Sequence, residues 1–354
     1  MALDSTRDAV LLINFGEPDT PEPGAVTDFL ERIFLANASL ESPVDPVAAA
    51  RRSRELAERR APALIEDYRR IGGSPLGRQA REQAAGLSAA LERRGRPVPI
   101  ELAMQFTDPS IPGALESLAS RGIERVIAFP AYPLCGPSTT IQALTDIADA
   151  LHRMGWRPEV AEITGWHRHP GYLEVRADAI RRAARSAGLD PAAPEVALVF
   201  SAHGTPLRYV EAGSRYVDYV EDWCGRLAGA LGVDGYTLGY QNHANRDIEW
   251  TRPEMESAID ALDGRQAVVV DAVSFVHEQS ETLVELDIEL RERVEARGLG
   301  FCRVPIPYAT DAFSEVLADL VELAAGRRVD GTPAPRVCRC RPGARVCFNG
   351  ERAP

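Results

Sequence analysis

The sequence predicts a doubly wound α/β fold. Apolar runs of strand length alternate along the chain with amphipathic stretches of helical length. The apolar runs are nearly uninterrupted, which is typical of parallel strands that helices cover on both faces. A strand-and-turn segment near the N-terminus has a counterpart in the second half of the chain, which indicates two similar domains.

Each predicted element follows from its own pattern. Short apolar runs bounded by turn residues predict strands at residues 9–13, 123–129, 196–200 and 267–270. Apolar residues spaced three and four apart predict helices at residues 26–35, 80–91, 141–154, 215–231 and 281–294. The residues after 325 are rich in Gly, Pro and Arg and have no periodicity, which predicts an appended tail.

The repeated segment is a buried strand that runs into a short turn containing Gly and Pro. The first copy ends in Phe15-Gly16-Glu17-Pro18 and the second in His203-Gly204-Thr205-Pro206, so Phe15 and His203 occupy matching places. Ligands of open α/β sheets bind beyond the carboxyl ends of the strands. We therefore expect both side chains to point into one cleft between the two domains.

Length and charge restrict the functional classes. The chain has 354 residues, 40 Lys and Arg against 52 Asp and Glu, and a net charge of −12. This length suggests two domains at about 150 residues each, and the acidic balance argues against a general nucleic-acid binder. The first eight residues lack the pattern of a signal peptide, and no apolar run approaches the roughly 20 residues of a membrane span. We expect a soluble, cytoplasmic protein.

Two groups of residues could carry chemistry. His203 lies where a strand ends, and its imidazole titrates near neutral pH, as a proton acceptor requires; the alternative is a structural histidine that caps a turn. Glu281, Glu285 and Glu289 are spaced four apart, so a helix would align their carboxylates on one face. A metal, another cation or protonation would relieve their repulsion, whereas a solvated acidic face would need no such partner.

Several motifs along the chain resemble those of ferrochelatases, the enzymes that insert ferrous iron into porphyrins. The stretches that carry this resemblance are 12–18, 72–75, 129–133, 201–209, 239–241 and 275–289. The resemblance covers residues 8–325. It implies two Rossmann-like domains of the class II chelatase kind around a porphyrin cleft, at residues 1–160 and 161–325, followed by a tail at 326–354.

The resemblance also implies roles for individual residues. His203 and Glu281 would be the catalytic pair and the ligands of the Fe²⁺ substrate, while the sequence leaves open which of them takes the first proton and from which face iron enters. The acidic path would comprise Glu278, Glu285 and Glu289. The porphyrin-binding wall would comprise Phe15, Tyr240, Trp250 and Phe275. Many relatives carry Asp-His where Glu278-Gln279 stands here, and Gln279 cannot take up a proton at neutral pH.

The six cysteines are unevenly placed. Cys338, Cys340 and Cys347 crowd the tail, which in a reducing compartment indicates a metal site rather than a disulfide framework. Their C-x-C-x6-C spacing resembles that of ferrochelatases with a [2Fe–2S] cluster, and Cys135 would be the fourth ligand. A zinc site and an unstructured tail with reactive thiols are the alternatives. The cluster would be structural, because metal insertion transfers no electrons.

The sequence alone is compatible with two other functions and with two porphyrin substrates. A cobalt or nickel chelatase for a sirohydrochlorin-type ring shares the fold, but such enzymes usually use two histidines, so Glu281 favours iron. A porphyrin or haem carrier is disfavoured because both His203 and Glu281 are present. The porphyrin is protoporphyrin IX or coproporphyrin III, and Phe15 in place of a tyrosine favours the former.

One further segment bears on partners other than porphyrin and iron. An apolar helical patch comprises Phe29, Leu30, Ile33, Phe34 and Leu35. In membrane-associated relatives a similar segment forms a lip at the cleft, and the resemblance thus raises peripheral membrane contact at the inner face of the membrane. The alternative is a helix that packs on its own domain. Monomer and homodimer are both compatible with the sequence.

Overall fold

The computed structural model describes residues 3–38, 45–243 and 248–350. The first two residues of the predicted N-terminal segment and the last four of the predicted tail lie outside this range. The described residues form eight strands in two four-stranded parallel sheets. The strands are β1 (Asp8–Asn14), β2 (Ile100–Met104), β3 (Arg125–Pro130), β4 (Glu159–Glu162), β5 (Val196–His203), β6 (Thr237–Gln241), β7 (Ala267–Ala272) and β8 (Gly300–Arg303).

The two sheets have the same topology. The first runs in the order β2-β1-β3-β4 and the second in the order β6-β5-β7-β8. Strand β1 therefore corresponds to β5, as the repeated strand-and-turn segment predicts. This repetition and the alternation of strands with helices confirm the predicted fold class of two similar parallel α/β halves.

Helices connect the strands in both halves of the chain. The α-helices are α1 (Pro23–Ala36), α2 (Pro46–Ile71), α3 (Leu76–Arg93), α4 (Ile111–Ser120), α5 (Gln142–Met154), α6 (Pro170–Ser186), α7 (Leu207–Glu211), α8 (Tyr216–Leu231), α9 (Met255–Asp260), α10 (Arg291–Ala296) and α11 (Asp311–Ala324). A π-helical turn, Pro137–Ile141, precedes α5, and a longer π-helix, Glu281–Leu290, precedes α10. No helix within the described residues has the length and apolar character that crossing a bilayer requires.

The chain divides into two compact units. Unit 1 comprises the described parts of Met1–Glu17, Gly77–Tyr172 and Tyr308–Pro354, so it holds the first sheet, helix α11 and the tail. Unit 2 comprises Pro18–Leu76 and Leu173–Pro307 and holds the second sheet with α1 and α2.

The central strands form the core of each unit. All seven residues of β1 and all six of β7 are buried, because helices cover both faces of a parallel sheet. Where β1 and β3 begin, the Arg125 guanidinium is paired with the Asp8 carboxylate. This pairing compensates two charges that burial would otherwise make costly.

Two long helical segments differ from the sequence expectations. The single helix predicted at 281–294 is a π-helix followed by α10, since the hydrogen bonds shift from the i+4 to the i+5 pattern, which apolar spacing does not report. The 26-residue α2 was not predicted, because only three of its seven buried residues, Leu56, Ile65 and Tyr68, are large and apolar; the other four are Ala or Ser. The described part of the predicted tail is packed, which disfavours the alternative of an unstructured tail: Val346 pairs with Ile163, and Phe348 is buried.

The apolar patch on α1 is mostly covered. Phe29, Leu30 and Phe34 are buried, and α1 packs on α2 within unit 2. Leu35 is 47% exposed. The helix therefore uses most of its apolar face in its own unit.

Candidate active site

Three neighbouring strands of the second sheet place polar groups at one edge. His203 is the last residue of β5, and His243 follows two residues after the end of β6. Glu281 is the first residue of the π-helix that follows β7. The sheet order β6-β5-β7 puts these strands side by side, and their carboxyl ends share one edge because the strands are parallel.

The three side chains meet at this edge. His203 Nε2 lies 3.2 Å from Glu281 Oε1 and 3.1 Å from His243 Nε2, and His243 Nε2 lies 3.4 Å from the same Glu281 oxygen. Among the described residues this is the one group of three or more His, Cys, Asp or Glu whose ligand atoms all lie within 4.8 Å of one another. The arrangement suits a cation held by two imidazoles and a carboxylate.

Hydrogen bonds fix the orientation of His203. Its Nδ1 lies 2.6 Å from the carbonyl oxygen of Gly204, so this nitrogen carries a proton and donates it. Ser274 Oγ accepts a hydrogen bond from the His203 backbone N–H, and Tyr216 donates its hydroxyl to the His203 carbonyl oxygen. With Nδ1 protonated, the neutral imidazole presents the Nε2 lone pair to Glu281 and His243.

Close packing explains the glycine after His203. The Gly204 N–H donates to the Gln241 carbonyl oxygen at 2.7 Å. A Cβ at Gly204 would collide with the Asn242 side chain and lie 2.9 Å from the same carbonyl oxygen. Only a residue without a side chain allows the end of β5 to approach the end of β6 this closely.

A second set of hydrogen bonds holds Glu281 and Glu285. Gln279 donates its side-chain amide to Glu281 Oε2. Gln241 Nε2 donates both to the Glu281 carbonyl oxygen and to Glu285 Oε2, and its own Oε1 accepts from Ser201. Gln241 therefore links the Glu285 carboxylate to the backbone carbonyl of Glu281.

The ionisation of the site follows from these contacts. Burial alone would lower the pKa of His203, but the hydrogen bond to Glu281 and its negative charge outweigh burial and raise that pKa. Burial alone would raise the pKa of Glu281, but its hydrogen bonds to His203 and His243 lower it well below the usual range. Burial and the charge of Glu281 raise the pKa of Glu285. A proton at this site therefore rests on His203 or Glu285 rather than on Glu281.

The structure separates the remaining residues of the predicted acidic path. Glu289 is exposed at the end of the acidic line formed by Glu281, Glu285 and Glu289. Its Oε1 lies 3.2 Å from the guanidinium of Arg70. Glu278 is turned to Arg303 at 2.9 Å and accepts the backbone N–H of Ile306. The side chain of Glu278 is thus committed to contacts in the fold, whereas Glu285 shares Gln241 with Glu281.

The predicted porphyrin-contacting aromatics differ in exposure. Trp250 is half-buried, and its ring lies edge-on to His243 at 5.8 Å between centroids. Phe275 is buried, with its ring 6.3 Å from that of His203. Tyr240 is only 2% exposed. In unit 1, Phe15 is half-buried and packs on Phe106 at 4.7 Å.

Cys338 lies beside each of the other two tail cysteines in unit 1, although the three sulfur atoms do not all lie within 4.8 Å of one another. The thiol of Cys338 is hydrogen-bonded to those of Cys340 and Cys347. These bonds, the one to Cys340 most strongly, lower the pKa of Cys338 well below its usual range. Thr164 Oγ1 lies 3.4 Å from Cys338 Sγ. Cys135 is buried on the loop after β3.

The chain is similar to known proteins over most of its length. The ferrochelatase family model matches residues 7–325. The ferrochelatase of Geobacter sp. (strain M21) is 31% identical over 328 residues, which cover 91% of this chain and 99% of that protein. The ferrochelatase of Synechococcus sp. (strain RCC307) is 34% identical over 335 residues, which cover 92% of this chain and 84% of that protein.

The chain belongs to the ferrochelatase family. It is a porphyrin metal chelatase, a lyase of haem biosynthesis. Among solved structures, SirB from Bacillus subtilis with Fe³⁺ covers 91% of this chain and 98% of its own, with a TM-score of 0.51 and 12% identity. At that identity the likeness concerns the fold alone.

Sequence reasoning missed His243 in this chelatase. The strand before it, β6, begins with Thr237, ends with Gln241 and contains Gly239, so it lacks the apolar run that predicted β1, β3, β5 and β7. The signal that could have located His243 is its place two residues after Gly239-Tyr240-Gln241, a motif of the ferrochelatase resemblance. Gln279 was noted as a departure from the ferrochelatase pattern, but its hydrogen bond to Glu281 could not be inferred from the sequence.

Proposed function

We propose that His203 and Glu281 of this ferrochelatase bind the ferrous substrate and handle the porphyrin protons. The observation that carries this proposal is the 3.2 Å distance between His203 Nε2 and Glu281 Oε1 at the carboxyl edge of the second sheet. A neutral imidazole nitrogen and a carboxylate oxygen are both good ligands for Fe²⁺. The same imidazole nitrogen accepts protons near neutral pH.

The proposed chemistry is an exchange of metal for protons. A free-base porphyrin releases two pyrrole N–H protons as Fe²⁺ enters its centre. Fe²⁺ and a proton compete for His203 Nε2, because both need its lone pair. Iron binding therefore displaces the proton that Glu281 stabilises on His203, and transfer of iron to the porphyrin frees His203 to accept a pyrrole proton. Glu281 stays ionised throughout, since its pKa is lowered.

Glu285 is the proposed next proton acceptor. Its raised pKa allows it to hold a proton, and Gln241 donates both to its carboxylate and to the backbone carbonyl of Glu281. We expect Glu285→Gln to lower kcat for iron insertion by about tenfold to a hundredfold, the lower range of general acid–base effects, with metal affinity little changed. Glu289→Gln is the matched control at the exposed end of the line. Equal kcat values for the two variants would remove Glu285 from the path.

Protoporphyrin IX is the proposed porphyrin substrate. Phe15 packs on Phe106, so this part of unit 1 presents apolar ring surface rather than a hydroxyl. Such a surface suits the porphyrin with fewer carboxylates. Anaerobic insertion assays with Fe²⁺, run side by side on protoporphyrin IX and coproporphyrin III, test this choice. Preferential turnover of coproporphyrin III would overturn it.

The four aromatic residues of the porphyrin-binding wall are proposed to have two different roles. Phe15 and Trp250 retain exposed ring surface and would contact the porphyrin, whereas Phe275 and Tyr240 are buried and would support residues around the site. We expect Trp250→Leu to weaken porphyrin binding, measured by quenching of porphyrin fluorescence. An unchanged porphyrin Kd would remove Trp250 from the wall.

A [2Fe–2S] cluster is proposed as a structural cofactor of the tail. Cys338, Cys340 and Cys347 supply three thiols, and the tight hydrogen bonding of Cys338 to the other two fits a cluster that needs several thiolates close together. The fourth thiolate would come from Cys135. The cluster would crosslink the tail to the loop after β3, in the same unit.

Backbone pairing supports Cys135 as the fourth ligand. The N–H groups of Trp166 and His167 donate to Pro133, two residues before Cys135. In the same segment, the Thr164 N–H donates to the Val346 carbonyl oxygen, and the Phe348 N–H donates to the Gly165 carbonyl oxygen. Residues 164–167 thus lie between the Cys135 loop and the Cys347 segment.

The cluster can be tested on the purified protein. We expect a red-brown sample with about two iron and two sulfide per chain, the content of a [2Fe–2S] cluster. Cys347→Ser and Cys135→Ser should lose the colour, whereas Cys224→Ser, in the buried α8 of unit 2, should keep it. A colourless protein that contains zinc would contradict the cluster.

The cytoplasmic location and peripheral membrane contact are also proposals. On α1, contact would rest on Leu35 and the half-buried Ile33, since the other apolar residues of the patch are buried. Flotation with vesicles of anionic lipid tests it, with Leu35→Ser as the variant expected to reduce binding. Recovery of all protein in the lipid-free fraction would refute the contact. Sedimentation of the purified protein without vesicles decides between monomer and homodimer.

A further inference from the structure

The site contains one more candidate ligand than the catalytic pair. His243 Nε2 lies within 3.4 Å of both His203 Nε2 and Glu281 Oε1. Two imidazole nitrogens at 3.1 Å cannot both present lone pairs to each other and to a carboxylate without repulsion. A shared proton or a cation between them removes that repulsion.

We propose that His243 is the third protein ligand of the incoming ferrous ion. Fe²⁺ would be captured by two imidazoles and one carboxylate before it passes to the porphyrin. This inference rests on the proposed roles of His203 and Glu281, and it assigns a metal-ligating role to a residue on a third strand end.

The distances fit a single cation. Ligands about 2.1 Å from one metal ion and at roughly right or tetrahedral angles are about 3.0–3.4 Å from one another. The three separations in the site are 3.1, 3.2 and 3.4 Å. The three atoms thus define one face of a coordination sphere, with the opposite positions free for other ligands.

The chemistry of this set suits ferrous iron. Two histidines and a carboxylate on one face are a recurrent ligand set for Fe²⁺, and they leave open positions. Open positions are what transfer needs, since the pyrrole nitrogens must bind the metal before the protein ligands release it. A set without thiolates also holds Fe²⁺ less firmly than a structural metal site would, which favours release.

The surroundings hold His243 in place for this role. The Trp250 ring lies edge-on to the His243 ring, with 5.8 Å between centroids and 83° between planes. The His203 ring is 5.1 Å away on another side. His243 follows closely after β6, and every residue of β6 is paired with β5. The backbone position of His243 is therefore restrained relative to that of His203.

Metal binding without porphyrin is the direct test. Co²⁺, whose visible spectrum responds to ligand number, is titrated anaerobically into wild type, His243→Ala and His243→Gln. We expect both variants to bind Co²⁺ at least about tenfold more weakly and to change its spectrum. His152→Ala is the control, because His152 is exposed on α5 in the other unit and its loss should change nothing.

Steady-state kinetics and chemical rescue separate a ligand from a structural residue. We expect His243→Ala to raise KM for Fe²⁺ at least about tenfold, with the porphyrin Kd unchanged. Added imidazole should restore Co²⁺ affinity to His243→Gly. Melting temperatures of the variants show whether the fold is intact.

The outcomes distinguish this inference from the proposed function. Wild-type Co²⁺ affinity and Fe²⁺ KM in folded His243→Ala would overturn the third ligand, as would a changed porphyrin Kd with unchanged metal affinity. Those results leave His203 and Glu281 untouched. Full insertion by His203→Ala or Glu281→Gln would instead overturn the proposed function itself.

Discussion

At the scale of residues, the active site depends on mutual compensation of buried charge. The Glu281 side chain is 14% exposed and would tend to take up a proton if it were alone. Hydrogen bonds from two imidazoles reverse that tendency, and the carboxylate in return raises the pKa of His203. Neither residue would have its present ionisation without the other, so a substitution at one changes the chemistry of both.

A buried histidine outside this pair makes the stability of the protein sensitive to acid. Burial lowers the pKa of His277 to about 3, and its Nε2 has no hydrogen-bond partner among the described residues. In the unfolded chain the pKa is about 6.5, so the unfolded state binds the extra proton first as pH falls. Between pH 6.5 and about 3 this residue therefore lowers the free energy of unfolding by about 1.4 kcal/mol per pH unit.

We expect His277→Gln to reduce this acid sensitivity. The difference in free energy of unfolding between wild type and variant should narrow as pH falls from 6.5 to 5, in urea titrations at fixed ionic strength. His152→Gln, on an exposed residue, serves as the control. A difference that does not depend on pH would show that His277 is accessible to protons in the folded state.

The sequence predicted part of the site at this scale. His203 could be found because it ends a buried apolar strand, and Glu281 because its acidic spacing follows another such strand. The contacts of Glu278 with Arg303 and of Gln279 with Glu281 could not, because each depends on the local path of the chain after β7. Residue type alone does not say which way a carboxylate turns.

At the scale of elements, the ends of three adjacent strands create the site. The π-helix that follows β7 starts with Glu281, and π-helical segments are frequent at functional sites. Its apolar and acidic spacing is compatible with an α-helix, which is why the sequence predicted one. The shift of its hydrogen bonds arises from packing that a spacing pattern does not encode.

The ends of β5 and β6 approach each other closely at Gly204, whose N–H donates to the Gln241 carbonyl oxygen at 2.7 Å. We expect Gly204→Ala to destabilise the protein by about 1–3 kcal/mol, since its Cβ would collide with Asn242 and approach the backbone of Gln241. Iron insertion should fall as well, because the carbonyl of Gly204 orients His203.

Gly229→Ala in α8 is the matched control for this prediction. A Cβ there would have no atom of the described residues within 4 Å, so the substitution should be neutral or stabilise the helix by up to about 1 kcal/mol. Urea unfolding of both variants gives the comparison. Equal stabilities would show that the two strand ends can separate without cost.

At the scale of the whole molecule, one topology is used twice and a packed tail is added to unit 1. The duplication could be predicted because both copies place a buried strand before the same type of turn. The packing of the tail could not, because its contacts are single residues without periodicity. Val346 bridges to Ile163, and Phe348 is 2% exposed against His169.

The tail should therefore contribute to stability. We expect Phe348→Ala to lower the free energy of unfolding by about 3–5 kcal/mol, as truncation of a buried aromatic ring does. Val337→Ala is the control in the same tail, since Val337 is 49% exposed and its truncation should change stability by less than about 0.5 kcal/mol. Similar small effects for both variants would show that the tail is not part of the folded core.

The catalytic role of His203 and Glu281 is tested most directly by anaerobic insertion of Fe²⁺ into the porphyrin by His203→Ala and Glu281→Gln. We expect each substitution to lower kcat by about 10²–10⁴-fold, since it removes a metal ligand or a proton acceptor, while the melting temperature shows a folded protein. Glu289→Gln, at the exposed end of the acidic line, should keep most of the activity. Turnover close to that of the wild type in either of the first two variants would contradict the roles assigned to this pair.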